Sequence, residues 1–147
     1  MTIRVIPIDH TLAAQWVSEK MVEPVQFGAG RALAAVDGSE LLAAVLYQNY
    51  RDVDIEMAIA ASHPRWAKRG VIGAFFHYPF VQLGCRRVTS LVAHTNRASQ
   101  RLAEGLGFQL EGRCRQSYPA GQDALIYGLL KTECRWLAPQ VRPNQSA

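Results

Sequence analysis

The sequence predicts an α/β protein built on a mixed, mostly antiparallel sheet of six to seven strands, with one central parallel pair and helices on both faces. Three observations lead there. Two β-prone runs, Arg31 to Val36 and Leu41 to Tyr50, flank Asp37-Gly38, a strong short hairpin signal. Val53 to Ala61 alternates, with Val53, Ile55, Met57 and Ile59 on one face and Asp54, Glu56, Ala58 and Ala60 on the other. A helical pattern then separates this run from the strand Arg87 to Val92, and a right-handed crossover makes those two strands parallel if they are neighbours.

Taken in order, Ile3, Val5 and Pro7-Ile8 form a short first strand. Asp9 to Thr11 offers cap chemistry for a helix to about Val22, with Leu12, Trp16 and Val17 apolar. Gly28 to Gly30 breaks the chain before the hairpin, and Arg51-Asp52 turns it again after the hairpin. Ser62-His63-Pro64 ends the alternating strand and starts a helix from about Ala67 to Leu83, disturbed where Pro79 lacks a backbone donor. A second helix follows Asn96, with Ala98, Leu102 and Leu106 as its apolar stripe, Arg97, Arg101 and Glu104 on its polar side, and Gly107 as a left-handed cap. Gln109 to Gln116 and Ala124 to Leu130 close the sheet as a hairpin across SYPAGQD.

The chain has 147 residues and 16.3 kDa, enough for one domain with a full core, taken here as 1–137, followed by a polar tail at 138–147. The apolar fraction of 49% with 19% charged residues excludes wholesale disorder. No apolar run reaches the roughly 18 residues of a membrane span, and the N-terminus lacks a signal-peptide core, so a cytoplasmic protein without membrane partners is expected. Cys85, Cys114 and Cys134 are odd in number and widely spaced, which reads as reduced thiols with no metal site. The net charge of +4 is concentrated in Arg86, Arg87, Arg97, Arg101, Arg113 and Arg115, and suits a phosphate-rich cofactor as well as a nucleic-acid backbone. A nucleic-acid partner rests on that charge alone and is not expected. The four histidines form no catalytic order, and Trp66, Phe75, Phe76, Tyr78 and Phe80 read as packing residues.

The stretch Asn96 to Gly112 carries N-x-x-S-x-x-L-x-E-x-L-G-F-x-x-E-G through Asn96, Ser99, Leu102, Glu104, Leu106, Gly107, Phe108, Glu111 and Gly112. Phe80 to Val88 before it and Ala124 to Trp136 after it fit the same pattern. Together they resemble the C-terminal signature of the GNAT superfamily of acyl-CoA-dependent N-acyltransferases, most closely the branch of the ribosomal-protein N-terminal acetyltransferases. The resemblance implies a GNAT-like sheet, acetyl-CoA as co-substrate, and an amine acceptor that is a small molecule or a protein. It leaves room for a homodimer.

Acyl transfer from a thioester to an amine needs a base for the amine, a donor for the oxyanion and a proton for the departing thiolate. The resemblance places the base at Glu56 and the acid at Ser99, because the tyrosine used by many members corresponds here to Ala103. It places oxyanion and cofactor contacts along Ile59, Ala60, Ala61 and Ser62, where the family's sheet splays. The pyrophosphate cradle corresponds to Lys68, Arg69, Gly70, Val71, Ile72 and Gly73, a helix start where free N–H groups and the dipole favour an anion. The family's Q/R-x-x-G-x-G/A is matched only at Gly70; Ala67 and Ile72 depart from it, and the register shifts by about one helical turn if counted back from Phe80. Asn96 corresponds to a contact with the pantetheine arm, and Arg101 or Arg97 to one with the 3′-phosphate. A non-catalytic acyl-CoA or protein-binding module is the alternative that these departures raise.

Overall fold

The computed structural model describes residues 2–20 and 30–137. The order is β1 (Arg4–Pro7), α1 (His10–Lys20), β2 (Gly30–Asp37), β3 (Glu40–Gln48), β4 (Asp54–Ala61), α2 (Arg69–His77), β5 (Arg87–Ala93), α3 (Arg97–Leu106), β6 (Gln109–Cys114) and β7 (Ala124–Leu130). The seven strands form one sheet in the order β1-β2-β3-β4-β5-β7-β6. Every neighbouring pair is antiparallel except β4 and β5. The expected fold class is therefore what forms, with Gly38 at φ 59° in the tight turn between β2 and β3.

Two apolar layers sandwich the sheet. On one face α1 sets Ala13 and Val17 against Ala32, Ala44 and Leu46, small residues that let the helix lie close. On the other, Val71, Ile72, Phe75 and Phe76 of α2 join Ala103 and Leu106 of α3 over Val45, Tyr47, Ile55, Met57 and Val88. Tyr47 is buried in this layer, and its hydroxyl donates to the Phe75 carbonyl, tying β3 to α2. Tyr47→Phe should lower unfolding free energy by about 1–2 kcal/mol, read as a lower denaturant midpoint at unchanged slope.

Several local expectations are corrected. Leu12 is 67% exposed and Ala13 takes its place against the sheet. Asp9 caps α1 by accepting from the Leu12 N–H at 3.0 Å. The end of that helix near Val22 and the break at residues 28 and 29 lie outside the described residues, while Gly30 is a strand residue paired with Gln48. Its glycine identity has a steric cause, since a Cβ there would lie 1.9 Å from the Tyr47 carbonyl oxygen.

The single helix expected from Ala67 to Leu83 is three pieces: a 3₁₀ turn at Pro64–Trp66, α2, and a π turn at Tyr78–Gln82. His63 rather than Ser62 caps the first piece, its Nδ1 accepting from the Arg65 N–H at 3.1 Å. Pro79 has no N–H to continue the α ladder, so the chain widens around it and Leu83 N–H reaches the Tyr78 carbonyl. On α3, Ala98 is exposed and the inward stripe is Leu102, Ala103 and Leu106. Gly107 caps that helix at φ 107°.

Candidate active site

The strands β4 and β5 start together and then part. Their rungs run only from Asp54 opposite Arg87 to Glu56 opposite Thr89, although both strands continue for several residues. Backbone polarity beyond that point follows from the β3 side. The Ser62 N–H donates to the Leu42 carbonyl at 2.8 Å, in register with Ala60 opposite Ala44. Since N–H groups alternate sides along a strand, Ala60 and Ser62 point theirs toward β3, whereas Ile59 and Ala61 point theirs into the gap. Of the four residues expected to supply backbone donors here, these two face the opening. The Ser62 hydroxyl is likewise turned to β3, donating to the Leu41 carbonyl at 2.8 Å.

A slot of about 50 Å³ passes through the gap, lined by Met57, Ala58 and Ile59 of β4, Ser90 to Ala93 of β5, and Asn96, Ser99, Leu102, Ala103 and Leu106 around α3, with Val17 of α1 on the far side. The sheet thus has an opening between its two faces. Asn96 is buried, and its Oδ1 caps α3 by accepting from the Ser99 N–H at 3.1 Å, which leaves the amide nitrogen for a ligand. Ser99 is half-buried on the first turn of α3 at the slot wall. Ala103, where the resemblance looked for a tyrosine, is a buried part of the same wall. Arg101 is exposed on α3 and lines no part of the slot.

The α2 N-terminus lies just past the end of β4. Its first α-helical bond runs from the Ile72 N–H to the Lys68 carbonyl, so Arg69, Gly70 and Val71 have N–H groups outside the ladder, and Lys68 makes no side-chain cap. Among the described residues nothing lies within 4 Å of the point where a Gly70 Cβ would be, so there is open space beside this first turn. An anionic group fits there. Val71 and Ile72 turn their side chains into the core, so neither isopropyl nor sec-butyl group stands over that space. Arg69 donates to the Arg135 carbonyl at 2.8 Å and lies over the Trp136 ring, engaged with the C-terminal segment. Gly73 lies a turn further on, where a Cβ would be 2.9 Å from the Trp136 carbonyl oxygen. Its small size is explained by this packing.

Glu56 occupies the last rung before the strands part, on the α1 face. It is half-buried and accepts from the Asn49 amide; Asn49 itself holds a left-handed φ of 55° just after β3. Beside it on the same face Thr89 donates to Asp54 at 2.8 Å and receives from Arg87 Nε at 2.9 Å, while Arg87 grips Glu111 through two bonds of 2.6 and 3.1 Å. Asp54 is thereby committed to its neighbours, and Glu56 is left with a neutral donor. Arg87 holds the Glu111 carboxyl below its ordinary range. Glu111 is the extra residue of a bulge between Leu110 and Gly112, and its ion pair with Arg87 lies over Gly128, where a Cβ would be 2.5 Å from the Glu111 carboxylate.

Two residues near the site have no motif to announce them. One is Asn49. The other is Tyr118, buried against Ala93 and Ala124, with its hydroxyl donating to the Leu91 carbonyl at 3.1 Å. Burial pushes the Tyr118 phenol above its ordinary range, and the Glu56 charge adds to that, so it remains a donor at neutral pH. Both belong to the turns at Gln48 to Asp52 and Gln116 to Asp123, where only turn residues are legible.

No protein-family model matches the chain, and no curated protein matches it in sequence. Solved structures match it in fold. A mutant form of the spermidine/spermine N-acetyltransferase SpeG from Vibrio cholerae has a TM-score of 0.67 and 18% identity, covering 89% of this chain and 96% of that one. A candidate acetyltransferase from T. thermophilus has a TM-score of 0.68 and 19% identity over 90% and 88% of the two chains. The chain shares the fold of these acetyltransferase structures.

Proposed function

We propose that the chain is an acetyl-CoA-dependent N-acetyltransferase that acts on a primary amine within a ternary complex. The observation that carries this reading is the opening between β4 and β5, with a slot on the α3 side and a carboxylate, Glu56, held by the neutral Asn49 amide at its vertex on the α1 side. In this reading acetyl-CoA supplies an activated acyl group as a thioester. The N–H groups of Arg69, Gly70 and Val71 hold its pyrophosphate, with Lys68 adding charge, and the Asn96 amide orients its arm. Ile59 N–H polarises the acyl oxygen. Glu56, fixed by Asn49, takes the proton of the amine directly or through water, and the Ser99 hydroxyl protonates the leaving sulfur.

The acceptor is an amine of small size or a protein amino group; a small amine is the acceptor class named for the SpeG structures. The ribosomal-protein branch of the resemblance belongs to this proposal and depends on the acceptor. Ala103 in the slot wall favours one rival, a module that binds acyl-CoA without turning it over. Titration calorimetry with acetyl-CoA, followed by thiol release with panels of amines and N-terminal peptides, separates the two. Binding at micromolar cofactor with amine-dependent thiol release is expected; binding without release favours the module, and no binding at millimolar cofactor overturns both.

A further inference from the structure

Where two parallel strands separate, each loses hydrogen-bond partners, and both sets of orphans must be met by something else. On β4 the orphan donors are the N–H groups of Ile59 and Ala61. On β5 the orphan acceptor is the Leu91 carbonyl. The last rung joins Glu56 and Thr89, and alternation along β5 directs the next inward carbonyl, two residues on, toward β4. In a closed sheet Ile59 N–H would reach it. Here the Tyr118 hydroxyl reaches it at 3.1 Å instead, from the turn between β6 and β7, with its ring seated on Ala93 and Ala124.

We infer that Tyr118 is a positioning residue that keeps β4 and β5 apart. Its hydroxyl gives the Leu91 carbonyl the hydrogen bond that β4 would otherwise give, so this acceptor no longer draws Ile59 N–H across the gap, and Ile59 N–H stays turned toward the slot. The strut itself rests on strand geometry; only its consequence for acetyl-CoA rests on the proposed function. Burial favours the neutral phenol, which is the form able to donate.

Tyr118→Phe keeps the ring and removes only the donor. In that variant the Leu91 carbonyl regains a partner most simply by bonding Ile59 N–H, which narrows the slot. Amide exchange of the cofactor-free protein, followed by NMR, should show Ile59 exchanging at least about ten-fold more slowly than in the wild type. Acetyl-CoA should bind about ten-fold more weakly. Unchanged Ile59 exchange in a folded Tyr118→Phe protein overturns the strut, including when the Michaelis constant for the amine rises, because Tyr118 would then be only an acceptor contact. Thermal melting establishes that the variant is folded, and Tyr118→Leu, which also lacks the donor, should slow Ile59 exchange in the same direction. If wild-type protein binds no acetyl-CoA, the proposed function fails while the exchange experiment still decides the strut.

Discussion

Glu56→Gln is expected to lower turnover by about 10²- to 10⁴-fold, the usual contribution of a positioned general base. The substitution is nearly isosteric, and a glutamine oxygen can still accept from the Asn49 amide, so the side chain keeps its place while losing its basicity. Binding of acetyl-CoA should be unaffected, because Glu56 faces the α1 side and is not among the residues lining the slot. A loss confined to turnover, with calorimetric cofactor affinity retained, is thus the signature of a base. Ser99→Ala tests the other end of the proton path. If both variants turn over like the wild type, the proposed mechanism falls, whereas the fold is unaffected.

Asn49 adds a second layer to the same experiment. A non-glycine residue at φ 55° is uncommon, and asparagine is among those that tolerate it best. Its amide meets Glu56 because the backbone turns that way directly after Gln48, the residue paired with Glu56 across β3 and β4. The proposed base and the residue that orients it are therefore fixed by one strand register.

What the sequence reveals and what it hides divide along the range of the interactions involved. Asp37-Gly38, the alternation from Ile55 to Ile59, the Asn96 cap and the Gly107 cap are local signals, and each appears in the structure where its chemistry puts it. The expected helix is interrupted because Pro64, under the His63 cap, starts a separate 3₁₀ turn, and α2 starts afresh after Lys68 without a side-chain cap. Leu12 and Ala98 are legible as apolar but not as inward or outward, since that depends on which neighbouring residue is small enough to lie against the sheet. The site is less legible still. Glu111 and Gly112 stand in the motif without a stated reason until the bulge, the Arg87 ion pair and the close approach to Gly128 supply one. Tyr118 meets Leu91 across 27 residues of chain, a contact set by β5 and β7 pairing rather than by anything adjacent to either residue.

Ala103→Trp should abolish acetyl-CoA binding, lowering affinity by at least about 100-fold, while the protein stays folded. Ala103 is 5% exposed and lines the slot, so a side chain enlarged there must project into it. There it competes with the proposed ligand arm for the same space. Overpacking of this kind costs about 1–3 kcal/mol, against a typical domain stability of about 5–15 kcal/mol. Leu106 and Phe108 still anchor α3 from the same buried layer, so circular dichroism should report native helix content. The comparison with Ala103→Gly decides the cause. Glycine widens the slot at a helix-propensity cost of about 1 kcal/mol and should leave cofactor affinity near the wild-type value. Equal loss of binding in both variants would mean that α3 had been disturbed, and the slot would then not be the place where acetyl-CoA is held.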